Sequence, residues 1–409
     1  MCYNIPMNPQ SQTNSISFYG LGIAPNIIEI LDRMRFKTPT PIQLKAIPIA
    51  IEGKDIIGVA QTGTGKTLAF GIPMIQRLVQ QRGRGLILVP TRELALQVEE
   101  TIHKVGHTFG MRTSVLIGGA SMSRQVQSLR MNPRVIISTP GRLLDHIGQG
   151  TLRLDDVNIL VLDEADRMLD MGFAPQIEKI LRFVPKDRQT MLFSATIPEK
   201  IVRIASVHMK LPVSVEIARS GTLAENIAQE LFIIKKEEKS QLLIKLLEQY
   251  RGTVLLFSRT KRGATRITTG LRGAGYKAAE IHSNRSLLQR REALEGFKTG
   301  KYRVLVATDI AARGIDVKGI ELVINYDLPD DAENYVHRIG RTARAGHEGR
   351  AISFATPDQR GEVRNIEKLI RSVLPVSKHP AFNPISFESN ASRSAFRPQY
   401  NYRAPKRHR

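Results

Sequence analysis

The sequence predicts an α/β protein of two tandem domains, each a mostly parallel sheet flanked by helices. Three observations carry this. Short β-rich runs are apolar on both faces, the mark of strands inside a doubly covered sheet. Amphipathic helical stretches alternate with them, the order a parallel sheet requires. The 409 residues, 42% of them hydrophobic, suffice for two such sheets with a sizeable core in each.

Residues 1–15 are polar, lack the basic and apolar segments of a secretory signal, and read as a disordered leader. Over 16–211 the runs "DIIGVA", "GLILVP", "TSVLIGG", "RVIIST", "NILVLD" and "TMLFSA" supply the first set of strands. Residues 212–226, with Pro212, Gly221 and many polar side chains, break that rhythm and read as a linker. Over 227–375, "LFIIK", "TVLLFS", "YKAAEIH", "YRVLVAT", "ELVINYD" and "RAISFAT" repeat the scheme. Apolar periodicity ends at Pro375. Residues 376–409 set Lys378, Arg393, Arg397, Arg403, Lys406, Arg407 and Arg409 against Glu388, with Phe396, Tyr400 and Tyr402 interspersed. They read as a basic, disordered C-terminal tail that either tethers polyanions or only solvates.

Sixty Lys and Arg against 38 Asp and Glu leave a net charge of +22, which calls for a polyanionic partner, nucleic acid or an anionic membrane face. No run approaches the ~20 apolar residues needed to span a bilayer. Cys2 is the single cysteine, which excludes an internal disulfide and a cysteine-based zinc site. A reducing, cytoplasmic location is expected.

Polar clusters collect where apolar runs end, and the carboxyl ends of parallel strands are where open α/β sheets bind ligands. "AQTGTGKT", residues 60–67, lies between a strand and a helix. Gly63 and Gly65 permit a tight turn whose N–H groups, with Thr62 and Thr64, face a phosphate. Lys66 reaches the β- and γ-phosphates, and Thr67 holds Mg²⁺. The generic pattern has Gly where Ala60 stands. "VLDEADRMLD", residues 161–170, ends another strand in acids despite the chain's basic excess. A magnesium triphosphate needs such a carboxylate: Asp163 is placed to hold the metal, and Glu164 to orient and deprotonate the attacking water.

Taken in order, "AQTGTGKT", "PTRELALQ", "TPGRL", "DEAD", "SAT", "ATDIAARGID" and "HRIGRTARAG" resemble the motifs of the DEAD-box ATP-dependent RNA helicases of superfamily 2. The short core followed by a basic tail resembles the bacterial RhlE-like group. The likeness spans about residues 16–375 and implies two tandem RecA-like P-loop domains. It also implies that "FKTPTPIQ" reads adenine, with Gln43 pairing with the base edge, Phe36 stacking on it and Phe18 supporting the segment.

By the same resemblance, "HRIGRTARAG" brings His337, Arg338, Arg341 and Arg344. His337 joins the catalytic set, and Arg341 and Arg344 act as arginine fingers on the γ-phosphate. Asp316 contacts the ribose, and Ser194 and Thr196 couple Asp166 to a closing motion. RNA contacts are implied for Pro90, Thr91, Arg92, Gly118, Gly119, Thr139, Gly141 and Arg142, and in the second domain for Arg259, Arg290 and Thr308. Ser283, Asn284, Leu287 and Ala343 depart from the family pattern without touching the phosphate chemistry. The implied function is RNA-dependent ATP hydrolysis with local unwinding of short duplexes or remodelling of RNA–protein complexes, without sequence preference. Ribosome assembly and RNA decay are the processes left open. The alternative is an ATP-gated RNA clamp or scaffold with little unwinding.

Overall fold

The computed structural model describes residues 17–387 except 62, 218–226, 313–316, 318 and 343–348. The chain forms two compact units. The first sheet holds β1 (Ile56–Val59), β2 (Arg84–Leu88), β3 (Thr113–Leu116), β4 (Val135–Ser138), β5 (Val157–Leu162), β6 (Gln189–Ser194) and β7 (Val213–Glu216). Their order is β3-β4-β2-β5-β6-β1-β7. The second holds β8 (Ile227–Ile233), β9 (Val254–Phe257), β10 (Ala278–Ile281), β11 (Val304–Ala307), β12 (Leu322–Asn325) and β13 (Gly349–Ala355), in the order β10-β11-β9-β12-β13-β8. The registered strand pairs run parallel throughout. This is the doubly covered α/β architecture the sequence predicts.

Alternation along the strands divides each core in two. Ile87, Val161 and Phe193 face one apolar cluster of the first unit, while their neighbours Leu88, Leu160, Leu162 and Leu192 face another. In the second unit Val254, Leu256, Ile352 and Phe354 line one face, and Ala351 and Ala355 the other. In the central strands both faces are dry, so both demand apolar residues and those strands read as unbroken apolar runs. Gly58 of β1 is a packing glycine: a Cβ there would lie 2.5 Å from the Phe193 ring.

Two boundaries are corrected. The linker expected from residue 212 begins later, because Val213–Glu216 is strand β7, paired with β1. It buries Val215 and leaves Glu216 exposed, and an edge strand half in water reads as polar irregular chain. Residues 218–226 of the expected linker lie outside the described residues. Likewise the disordered tail does not begin at 376. Val376 bridges to Leu231 of β8, and Leu231 exchanges bonds with Pro375 O and Ser377 N, each 2.8 Å. Phe382 and Phe387 then pack on the two core clusters of the second unit. This segment covers an edge of the sheet with irregular backbone, which carries no periodicity to read. The leader and residues 388–409 lie outside the described residues. No helix among the described residues is long and apolar enough to cross a membrane.

Candidate functional site

Beyond Val59 the chain turns through Gly63 (φ 86°) and Gly65 (φ 87°), a left-handed backbone that glycine adopts without strain, and enters the helix Lys66–Gln80. A Cβ on Gly65 would lie 2.4 Å from Gln43 Nε2. Gln43 itself is buried: its Oε1 accepts from Thr40 N at 2.9 Å and its Nε2 donates to Gly65 O at 3.0 Å. The helix Pro41–Ile51, expected to read adenine, is thus fastened to the phosphate turn. Phe36 is exposed beside it and Phe18 is buried in the core of the first unit. Lys66 is buried and donates to Ala60 O at 2.9 Å; Thr64 Oγ1 donates to Gln61 O at 2.7 Å; Thr67 is half-buried on the first helical turn. Thr62 lies outside the described residues.

β5 delivers the acids. Asp163 is buried directly after Leu162 and accepts from Glu164 N at 3.0 Å. Burial pushes its carboxyl up to about 7, opposed by the Lys66 ammonium and reinforced by the charges of Glu164 and Asp166. Glu164 stands in left-handed backbone (φ 51°), a strained choice for a residue with a Cβ. Its Oε2 accepts from Arg167 Nη1 at 2.6 Å, with both side chains buried. Asp166 reaches across to the end of β6: its Oδ2 accepts from Ala195 N (3.0 Å), Thr196 N (2.9 Å) and Thr196 Oγ1 (3.1 Å), and its own N–H donates to Ser194 Oγ at 3.2 Å. The expected coupling set of Asp166, Ser194 and Thr196 is one bonded group.

The ends of β2, β3 and β4 carry the expected RNA contacts of the first domain. Thr91, after Pro90, caps its helix by accepting from Leu94 N at 3.3 Å. Thr139 precedes the helix Pro140–Gly148, where Gly141 faces open space. Arg142 Nη1 donates to Ala120 O at 3.3 Å. A Cβ on Gly118 or Gly119 would lie 3.1 or 2.2 Å from the Arg92 guanidinium, and Gly119 also stands in left-handed backbone (φ 76°). Burial lowers the Arg92 pKa, as do the charges of Arg290 and Arg142, with Glu93 opposing. Arg290 lies in the stretch 281–295 that groups with the first unit. It is buried and donates to Glu93 Oε2 at 2.6 Å, so its charge faces a carboxylate.

In the second unit Arg259 Nη2 donates to Leu328 O at 3.1 Å and its Nε lies 3.2 Å from Asp330. Thr308 is half-buried after β11. Arg341 is buried and donates to His337 O at 3.3 Å. Asp316, Arg344 and Ala343 lie outside the described residues.

Two residues had no role assigned from sequence. Arg167 holds Glu164, and its signal was spacing: positions three apart on a helix face each other. Arg338 is 1% exposed, paired in fork geometry with Asp309 (2.6 and 2.7 Å) and bonded to Asn325 Oδ1 (3.2 Å) and Asp327 O (2.6 Å). Its guanidinium lies 5.0 Å from the Phe257 ring centroid. Its signal was its place in "HRIGRTARAG".

The donor set fits a magnesium nucleotide. A bare-backbone turn and an ammonium suit phosphates, and a hydroxyl with a buried carboxylate suits a hard cation. The DEAD/DEAH box helicase family matches residues 40–204 and the helicase conserved C-terminal domain matches 238–346. The chain is 46% identical over 369 residues to an ATP-dependent RNA helicase, CshA, of Listeria monocytogenes, covering 90% of this chain and 71% of that protein. It is 43% identical over 370 residues to the DEAD-box ATP-dependent RNA helicase CshA of Geobacillus kaustophilus, covering 90% and 79%. Among solved structures it is similar to S. cerevisiae Dbp5 bound to RNA and ADP BeF3, with TM-score 0.81 and 31% identity over 88% of this chain and 95% of that one. It is also similar to Mss116p bound to ssRNA and AMP-PNP, with TM-score 0.80 and 30% identity over 88% and 78%.

Proposed function

The chain belongs to the DEAD/DEAH box helicase family, and from that premise we propose how its own residues carry out ATP-dependent RNA helicase activity. The protein is an RNA-dependent ATPase and helicase. One observation above all supports the residue roles that follow: a single carboxylate, Asp166, ties the strand end bearing Asp163 and Glu164 to the strand end bearing Ser194 and Thr196. A shift at either end must be felt at the other.

In this reading the N–H groups of residues 62–67 and Lys66 hold the phosphates, and Gln43 and Phe36 select the base. Thr67 and Asp163 would hold Mg²⁺, which when bound would screen phosphate charge. Glu164, oriented by Arg167, takes the proton of the attacking water. Arg341 and Arg344, with His337, neutralise charge developing on the γ-phosphate, and Asp316 holds the ribose. Thr91, Arg92, Gly118, Gly119, Thr139, Gly141 and Arg142 grip RNA through phosphates and hydroxyls, which carry no base code. Arg259, Thr308 and Arg290 serve the second domain, Arg290 on leaving Glu93.

The short core with its basic C-terminal arm supports placement in the RhlE-like group, while the relatives compared above carry the name CshA. A cytoplasmic protein acting in ribosome assembly or RNA decay fits the charge and the single cysteine. The test is displacement of a short RNA duplex with and without ATP, run beside ATP hydrolysis. RNA-stimulated hydrolysis with displacement is expected. Stimulated hydrolysis without displacement would replace unwinding by the clamp reading.

Asp166→Asn checks the coupling. The amide presents N–H where Oδ2 meets two backbone N–H donors and a hydroxyl, so displacement should fall by about tenfold or more while ATP affinity changes less than about threefold. Equal loss of both would make Asp166 merely structural.

A further inference from the structure

The first unit carries a second cleft, about 620 Å³, at the end of its sheet opposite the glycine turn. Asp55, Asn158, Gln189 and Val213 line it where β1, β5, β6 and β7 begin, and Arg77 enters from the last turn of the helix Lys66–Gln80. Its size is that of a small-molecule site.

Its wall holds buried polar atoms without partners. Arg77 has one long bond, to Ile51 O at 3.4 Å, and Arg188 donates to Pro185 O (2.6 Å) and His208 O (3.3 Å); the Nε of each is buried and unpaired. Gln189 is 4% exposed. Its Nε2 is committed to Ala50 O (2.9 Å) and Lys54 O (2.8 Å), which leaves Oε1 buried without a donor. Asn158 Nδ2 donates to Arg82 O at 2.6 Å, and its Oδ1 is left in the same condition. Buried polar atoms in folded proteins are nearly always paired, so two guanidinium donors and two amide acceptors unpaired around one cleft need an explanation.

Gly53 (φ 85°) and Gly83 (φ 117°) hold left-handed backbone beside the Arg77 guanidinium and the Asn158 amide. The acids of the cleft are already engaged. Asp55 accepts from Thr190 N and Lys210 N, each 2.7 Å, and Asp187 pairs with Lys210 Nζ at 2.7 Å. Asp55 offsets part of the Arg188 charge, while Arg77 has no carboxylate partner among the described residues.

We propose that this cleft binds a small phosphorylated ligand of nucleoside monophosphate size. Phosphate oxygens suit the two guanidiniums that line the cleft, and the amide side chains of Asn158 and Gln189 could meet sugar hydroxyls or base amines only by turning toward it. The elements it would touch end at the reacting groups: the helix starts at Lys66, β5 runs into Asp163, and β6 into Ser194.

Isothermal titration of the full-length Lys66→Ala chain with GMP, UMP and ribose 5-phosphate tests this without the phosphate grip of the glycine turn. Saturable one-to-one binding of at least one probe is expected, with none for guanosine. Adding Arg77→Ala, a change that removes only a long bond to a carbonyl, should weaken it about tenfold or more. Arg188→Gln, with its fold checked by circular dichroism, should do the same. Absence of binding by all three phosphorylated probes would mean that the cleft holds water only and overturn the proposal. So would binding that both arginine changes leave untouched.

Discussion

Replacement of Glu164 by Gln is expected to lower RNA-stimulated ATP turnover by about a hundredfold or more while ATP and RNA affinities stay near those of the parent. Glutamine keeps the length and an oxygen that can accept from Arg167, and it tolerates the left-handed backbone at this position no worse than glutamate does. What it removes is the negative charge that takes a proton from water. The loss should therefore appear in single-turnover hydrolysis and not in a nucleotide-binding titration. Full hydrolysis by Glu164→Gln would take the base assignment away from this residue.

Loss of Arg338 should be felt as stability, through the second unit. Arg338→Ala leaves the Asp309 carboxylate, Asn325 Oδ1 and Asp327 O without their common donor in a mostly buried setting. Breaking a buried pair from one side costs about 3–5 kcal/mol, and chemical denaturation should show one early transition followed by one near the parent position. Arg338→Lys should recover only part of the loss, because an ammonium cannot repeat the two-pronged bond to Asp309. An unchanged denaturation curve for Arg338→Ala would rule out the keystone role.

What could be read from the sequence divides along physical lines. The twelve apolar runs fall on strands: central strands such as β4 and β9 are buried on both faces, which leaves nothing polar to blur the signal, and the edge strands β3 and β8 keep enough buried apolar residues to be read. The phosphate turn was legible because two glycines at positive φ, an ammonium and a hydroxyl must stand at fixed spacing. Asp163 and Glu164 were legible because acids at the end of an apolar strand are costly without a charged partner. β7 was missed because one of its residues is buried and the rest meet water to some degree. The bond between Arg338 and Asp309 was missed because residues 29 apart share no local pattern. Arg290 shows a third kind of gap: sequence gave it a charge suited to RNA, but only the structure gives it Glu93.

The stretch after Pro375 bears on how the protein is handled. Anyone who trims the chain at the last recognisable helical motif would strip the cap from β8 and leave the amide and carbonyl of Leu231 without their partners at the sheet edge. Such a shortened product would tend to stack edge to edge in concentrated stocks. Expression versions should therefore keep the chain through Phe387 before any deletion of the basic arm is interpreted.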